Sequence, residues 1–177
     1  AWTFHTIPQP GEFGYETWSE NAYKEVGGTN SWAGMSLDEA RGIVYIPTGS
    51  PAFDFYGGNR KGKNLFGNCL LAIEAATGKL IWYYQLVHHD IWDYDLPAPP
   101  NLVTIVRDGK KVGAVAQVTK MGMVFVFNRE TGEPIFPVEE RPVPASLLLG
   151  EEVWPTQPFP TKPLPFVRHH FSEEEIT

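Results

Sequence analysis

Cysteine is almost absent: Cys69 stands alone in 177 residues. One cysteine closes no internal disulfide and builds no cysteine-cluster zinc site, so both scaffold classes are excluded. Long apolar runs are missing too; none approaches the roughly 18 residues that a membrane helix needs. Positive charge is scarce, with 14 Lys and Arg against 21 Asp and Glu and a net charge of −7. An acidic chain without a basic cluster repels phosphate, so nucleic acid is not an expected partner. The opening AWTFHTIPQPGEF has neither a charged start nor an apolar signal core. Helical periodicity is nearly lacking; the one hint is Ser172 to Ile176, a capping serine before three glutamates.

What the chain has is glycine, proline and aromatic residues. It holds 17 Gly and 16 Pro, about a fifth of all residues against a usual share of roughly 12%. Short β-branched or aromatic runs predict strands at Gly42–Pro47, Cys69–Ile73, Leu80–Gln85, Asn101–Val106, Val112–Val118 and Gly122–Phe127. Asp108-Gly109 between two such runs is a hairpin signal. An internal repeat is present: LLAIEAATGKLIW (Leu70 to Trp82) matches VFVFNRETGEPIF (Val124 to Phe136) at an offset of 54 residues. Trp2-Thr-Phe-His resembles a further copy of Trp82-Tyr-Tyr-Gln. Periodic strands, a Thr-Gly turn and a docking aromatic form a propeller signature.

The expected fold is therefore all-β, a β-propeller fragment of about two four-stranded blades. The divisions are 1–18, the end of a preceding blade; 19–100, one blade; 101–136, the next; and 137–177, a Pro-rich extended surface excursion rather than sheet. Two blades do not close a ring of roughly four to eight, so the chain reads as an internal piece of a longer polypeptide. Trp82 and Phe136 are expected to seal blade interfaces, with Trp2 doing the same for the preceding blade.

Two segments give the pattern chemical content. They are His88-His89-Asp90-Ile91-Trp92-Asp93 and, downstream, Thr119-Lys120-Met121-Gly122; Asn30-Ser31-Trp32 and Pro47-Thr48-Gly49-Ser50 precede them. In this order and on this repeat, they resemble the quinoprotein dehydrogenases that use pyrroloquinoline quinone (PQQ), most closely the membrane-associated glucose dehydrogenase branch. The resemblance implies an eight-bladed ring with PQQ near its axis and Ca2+ (or Mg2+) against it. It implies oxidation of an alcohol, aldose or polyol substrate by hydride transfer to the quinone. Electrons would pass to a quinone or cytochrome acceptor. The site would be periplasmic, with membrane association only through segments outside this chain.

By the same resemblance, Asp93 is the catalytic base and a metal ligand. A carboxylate within reach of the substrate hydroxyl can take its proton, and its oxygen suits a hard cation. Lys120 is catalytic and cofactor-binding, donating to a quinone oxygen as negative charge develops. Trp32 is an aromatic floor for a planar cofactor, with Asn30 beside it. Ser50 is a metal ligand where several relatives carry Asn; its arm is shorter, so a water, Asn30 or Asp54 could substitute.

The remaining polar residues read as structural. Adjacent histidines on a strand point to opposite faces, so His88 and His89 cannot both chelate one ion; one faces the cavity and the other packs. Asp90 and Asp95 hold their loop through backbone hydrogen bonds. The Gly-rich stretch Phe53 to Lys63 lacks phosphate-loop spacing and reads as a rim loop carrying cations. His169 and His170 lie in a polar tail without a role. The rival reading is a non-catalytic propeller serving as an envelope binding scaffold, which would have no reason to carry Asp93, Lys120 and Trp32 together.

Overall fold

The computed structural model describes residues 1–170 and 172–176. Its first sheet holds β1 (Ser36–Asp38), β2 (Ile43–Pro47), β3 (Cys69–Glu74) and β4 (Leu80–Gln85), antiparallel and in chain order. A second sheet holds β5 (Asn101–Arg107), β6 (Lys110–Val118) and β7 (Val124–Asn128), again in chain order. Among the described residues, helix is confined to a four-residue turn, α1 (Ala22–Glu25), and two 3-10 turns, Tyr15–Thr17 and Glu173–Glu175. Ser172 and Glu175 make a reciprocal capping box at the last of these.

Alternation along the central strands builds two cores. On β2 and β3, Ile43, Tyr45, Leu70 and Ala72 face the second sheet, where they meet Val115, Phe125 and Phe127. Ile46, Cys69, Leu71 and Ile73 face the other way, onto Leu65, Phe66 and Phe4. Burying each such aliphatic or aromatic side chain contributes about 1.5–3 kcal/mol. Strand β3 is thus apolar on both faces because both are covered.

A bulge decides what β4 does. Ala72 pairs with Trp82 and Ile73 with Leu80, leaving Ile81 as an extra residue. The extra residue turns Leu80 to one core and Trp82 to the other. The Trp82 indole therefore enters the gap between sheets, 5.9 Å from both Tyr45 and Phe127. It covers Gly132 and donates from Nε1 to Arg129 O at 3.1 Å. Trp2 makes the same contact one blade earlier: it covers Gly78 and donates to Ala75 O at 2.9 Å. Ala75 and Arg129, like Gly78 and Gly132, are 54 residues apart, so the repeat read from sequence is a repeated docking geometry. Both glycines have positive φ, +79° and +74°, and a Cβ on either would drive into the indole.

Two details differ from the sequence reading. The second sheet has three strands rather than about four. Its fourth begins, with Asn128 N–H donating to Glu133 O at 2.8 Å and Ile135 N–H to Val126 O at 2.8 Å. It goes no further than the Phe127–Pro134 bridge, after which the chain leaves for a hairpin that starts at Val138. The Pro-rich excursion, in turn, contains a sheet: β8 (Val138–Pro142) pairs antiparallel with β9 (Thr156–Pro160). Pro142, Pro158 and Pro160 all fall in one alternate set of pairs. The other set carries the ladder, as Val143 N–H to Pro155 O (3.1 Å) and Thr161 N–H to Pro137 O (2.9 Å) continue it at both ends.

The antiparallel order brings the starts of β1, β3 and β5 and the ends of β2, β4 and β6 to one end of the sheets. Trp32, Asn68, Ser50, the loop after Gln85 and the turn at Lys120 all sit there.

Gly132→Ala is expected to destabilise the protein more than Gly109→Ala in urea denaturation. Gly109 also has positive φ but open space around it, so its alanine variant carries only the backbone penalty of about 1–2 kcal/mol. Equal losses at the two positions would mean that the indole contact carries no weight.

Candidate active site

The loop after β4 is organised by one buried carboxylate. Asp90 is fully buried. Its Oδ1 accepts from Trp92 N–H at 2.9 Å; its Oδ2 accepts from Tyr94 N–H at 2.7 Å, Asn68 Nδ2 at 2.8 Å and Ser50 Oγ at 2.5 Å. Burial pushes the Asp90 pKa up, and these four hydrogen bonds only partly oppose it. The backbone carbonyl of Asp90 accepts from Arg60 Nη2 at 2.5 Å. The loop is thereby wound so that Asp93, at φ +60°, presents its side chain at the surface. Aspartate is among the few side chains that take this backbone region readily.

Opposite it, the Thr119–Met123 turn holds Lys120. Thr119 N–H donates to Met123 O and Gly122 N–H to Thr119 O, both at 3.0 Å, with Gly122 at φ +71°. Lys120 Nζ then reaches Asp93 Oδ1 and Asp95 Oδ2, both at 2.9 Å. An ammonium has three N–H donors; two serve these carboxylates and one remains. Asp95 Oδ1 accepts from Ser50 N–H at 2.6 Å. Burial acts to lower the Lys120 pKa, but bonds to Asp95 and Asp93 outweigh it and the net direction is up. Burial acts to raise Asp95, but Lys120 and the Ser50 N–H outweigh it and the net direction is down.

Trp32 borders the same group. A Cβ placed on Gly49 would meet Asp95 Oδ1 at 2.6 Å and Trp32 Nε1 at 3.2 Å, so only glycine lets the three come together. The Trp32 side chain is 54% exposed and offers an open indole surface. Beside Lys120 opens a pocket of about 530 Å³ with Trp92, Tyr94, Met121, Phe159 and His169 in its walls. Trp92 and Tyr94 stack at 5.7 Å.

The structure thus brings Asp93, Lys120 and Trp32 to one end of the sheets, with Asp95 as Lys120's second partner. Ser50 is there, but its hydroxyl is committed to Asp90. Asn30 is exposed and holds Gly49 N–H through its own carbonyl at 3.1 Å. Asp54 lies exposed in the Phe53–Lys63 loop. Among the described residues, no group of three or more His, Cys, Asp and Glu side chains is arranged to hold a metal ion.

Three expectations need correction. The histidines do not straddle a strand, because β4 stops at Gln85 and His89 has φ +45°. Both are buried and neither borders the pocket: His88 bonds Gln85 and Glu140, and His89 bonds Gly62 O. Arg60 is not a rim cation. It is fully buried and donates to Asn64 Oδ1, Phe53 O and Asp90 O; burial pushes its pKa down to about 10. His169 has a contact, its Nε2 bonding Met121 O at 2.7 Å, because Phe166 N–H ties the tail to Gly122 O at 2.9 Å. Asn68 was invisible in the sequence reading; its only signal is an amide residue just before a fully buried strand.

The loops at one end of an antiparallel blade pair thus gather a lysine, two carboxylates and an exposed indole. The family model described as glucose/ethanol/alcohol dehydrogenase, beta-propeller domain, a PQQ family, matches residues 1–177. The chain belongs to this family. It is 44% identical over 142 residues to quinoprotein glucose dehydrogenase of Escherichia coli (strain K12), covering 76% of this chain and 18% of that protein. It is 41% identical over 144 residues to the glycerol dehydrogenase large subunit of Gluconobacter oxydans (strain 621H), covering 80% and 19%. The solved quinohemoprotein alcohol dehydrogenase ADHIIG of Pseudomonas putida HK5 matches with a TM-score of 0.68 and 30% identity, covering 80% of this chain and 23% of that one. The chain spans about a fifth of the length of these curated relatives.

Asp90→Ala takes an acceptor from the Ser50 hydroxyl, from one N–H of the Asn68 amide and from two part-buried backbone N–H groups, at about 1–3 kcal/mol for each donor left buried and unpaired. A loss of at least about 3 kcal/mol in urea denaturation is expected, and a loss below about 1 kcal/mol would contradict the hub role. The Lys120–Asp95 pair should follow pH with a definite sign. Asp95 is lowered from its ordinary 3.8, so its contribution is present above that value and lost as pH falls through the lower folded value. Lys120 is raised from 10.5, so its contribution is present below that value and lost as pH rises through the higher folded one. The stability gap between wild type and Lys120→Met should be flat near neutrality and shrink below the ordinary Asp95 value. A gap unchanged into strong acid would exclude the pair as its source.

Proposed function

We propose that this chain is part of a quinoprotein oxidoreductase that oxidises a CH–OH group of an aldose, polyol or alcohol with PQQ as cofactor. The observation that carries this reading is Lys120 Nζ at 2.9 Å from both Asp93 and Asp95 beside the exposed Trp32 indole. These residues fit a planar, oxygen-rich cofactor: an indole surface to stack on and an ammonium with a donor to spare. When bound, the quinone supplies a two-electron acceptor for the hydride leaving the substrate carbon.

The chain's own residues do the rest. Asp93 takes the proton of the substrate hydroxyl on a carboxylate oxygen. Lys120 holds Asp93 in place through one N–H and Asp95 through another, and turns its third toward the cofactor oxygens. Asp95, fixed by Ser50 N–H, keeps the lysine from swinging out to solvent. Trp32 supplies contact area at small entropic cost. The pocket beside Lys120 is the place for the substrate, its stacked Trp92 and Tyr94 suited to the apolar face of a sugar or polyol.

A dication is a separate matter. This chain offers Asp93 as one hard oxygen ligand, while Ser50 Oγ is engaged elsewhere. The described residues do not make a cage, so Ca2+ or Mg2+ would need further oxygen ligands from outside this chain. Transfer of electrons to a quinone or cytochrome acceptor and a periplasmic location complete the proposal by analogy with the resembled family.

The full-length protein containing this chain, prepared as apoprotein, is expected to reduce a dye only after PQQ and calcium are added, with glucose or glycerol preferred to ethanol. Asp93→Asn keeps a residue tolerant of positive φ and removes the charge; turnover should fall at least about a thousandfold while PQQ still binds. Quinone-independent behaviour with no turnover in correctly folded protein would favour a binding scaffold. Retained turnover in Asp93→Asn would remove Asp93 as the base.

A further inference from the structure

The excursion after β7 does more than cover surface. Gln157, on β9, is buried, and its side-chain amide pairs with the backbone of His88 as a strand residue would. Its Oε1 accepts from His88 N–H at 2.8 Å and its Nε2 donates to His88 O at 2.7 Å. Glu140, on β8, reaches the same residue through His88 Nε2 at 3.0 Å, and Gln85 Oε1 holds Nδ1 at 2.8 Å. The grip extends to the Phe53–Lys63 loop: Glu151 Oε1 accepts from Gly57 N–H at 2.8 Å, and Lys63 lies 4.8 Å over the Trp154 ring. That loop in turn bonds the residues that follow His88. Lys63 O accepts from His89 N–H at 3.2 Å, Gly62 O bonds His89 Nδ1 at 2.7 Å, and Arg60 holds Asp90 O.

We propose that Gln157 is a positioning residue for Asp93, latching the start of the loop that carries it; this rests on the reading of Asp93 as the base. Beyond Leu86, whose N–H still donates to Asn68 O at 2.8 Å, the chain up to Asp93 lies in no strand. Gln157 supplies the missing pair of main-chain partners at His88. The Asp90 hub then carries the fixed register to Asp93, five residues on. Small displacements of a catalytic group cost rate steeply, about a hundredfold for 1 Å.

The test uses the full-length protein with Gln157→Ala, Gln157→Glu and, as a control on the same hairpin, Arg141→Ala, whose side chain contacts Glu139 and Phe159 and not His88. Gln157→Glu keeps an acceptor for His88 N–H and sets an oxygen against His88 O, so it reads the latch with little change in shape. In apoprotein, hydrogen exchange of the amides of residues 88–95 is expected to rise about tenfold or more in both Gln157 variants and to stay at the wild-type rate in Arg141→Ala. In protein loaded with PQQ, kcat should fall about tenfold or more in the Gln157 variants, with KM and PQQ affinity within about threefold of wild type. Unchanged exchange at residues 88–95 would overturn the latch, as would a loosened loop with unchanged kcat. A wild-type protein without quinone-dependent turnover would overturn the functional reading instead, because the exchange measurement needs no cofactor. If Gln157→Ala does not fold, Gln157→Glu decides.

Discussion

The Asp90 carboxylate is the constraint on which the rest of the site depends. It sits out of water and so must be satisfied from within. Four donors from three segments meet it: Ser50 after β2, Asn68 before β3, and Trp92 and Tyr94 within its own loop. Satisfying one buried charge therefore fixes the relative position of three chain segments. Asp93 and Asp95 lie immediately beyond and inherit that register. Lys120, on the neighbouring sheet, is drawn in by the two carboxylates so presented. Removing water from Asp90 is unfavourable, and that cost is offset only when the loop has its native shape, so shape and charge are coupled.

The blades supply a frame stiff enough for this. Their interface is one repeated contact, an indole laid on a positive-φ glycine with its N–H on a carbonyl of the turn. The β4 bulge aims Trp82 into that interface, and the aromatic cluster of Tyr45, Tyr84, Phe125 and Phe127 fills the space around it. Polar pins cross the same boundary: Arg129 bonds Asp38 at 2.9 Å, and Tyr45 donates to Arg129 O at 2.7 Å. Burial acts to raise Asp38, but its bonds to Arg129 and Arg41 prevail and hold its carboxyl below the ordinary value. Loops that leave one end of two sheets locked in this way can hold their side chains in fixed relative positions.

The excursion completes the arrangement from a distance in sequence. Its strands β8 and β9 grip His88, the loop between them grips the Phe53–Lys63 loop, and its tail returns to the Lys120 turn. The site is thus assembled from one side by blade loops and from the other by a segment rich in proline. That composition suits the task, since proline carries no donor to satisfy and enters a two-stranded ribbon wherever the N–H would point outward.

Much of this was legible in the sequence, for a physical reason in each case. Alternating apolar strands, the Thr-Gly turns and the 54-residue repeat encode the blades, because strand period and turn conformation are local properties. Asp93, Lys120 and Trp32 were singled out together as a motif, and the structure brings them to one end of the sheets. The fourth strand of the second blade was misjudged because the matching repeat does not show that the chain turns away after the Phe127–Pro134 bridge into a hairpin of its own. The β8–β9 pairing was hidden because it depends on which parity the prolines occupy. Arg60 and His88 were read wrongly, and Asn68 and Gln157 were not singled out. Each has at least one partner 18 to 69 residues away, and a side chain's burial and hydrogen-bond partners are settled by which segments fold together. The sequence by itself determined the strands, the repeat and the reactive residue types. Only the tertiary structure decided which polar groups leave water, and so which residues hold the reactive ones in place.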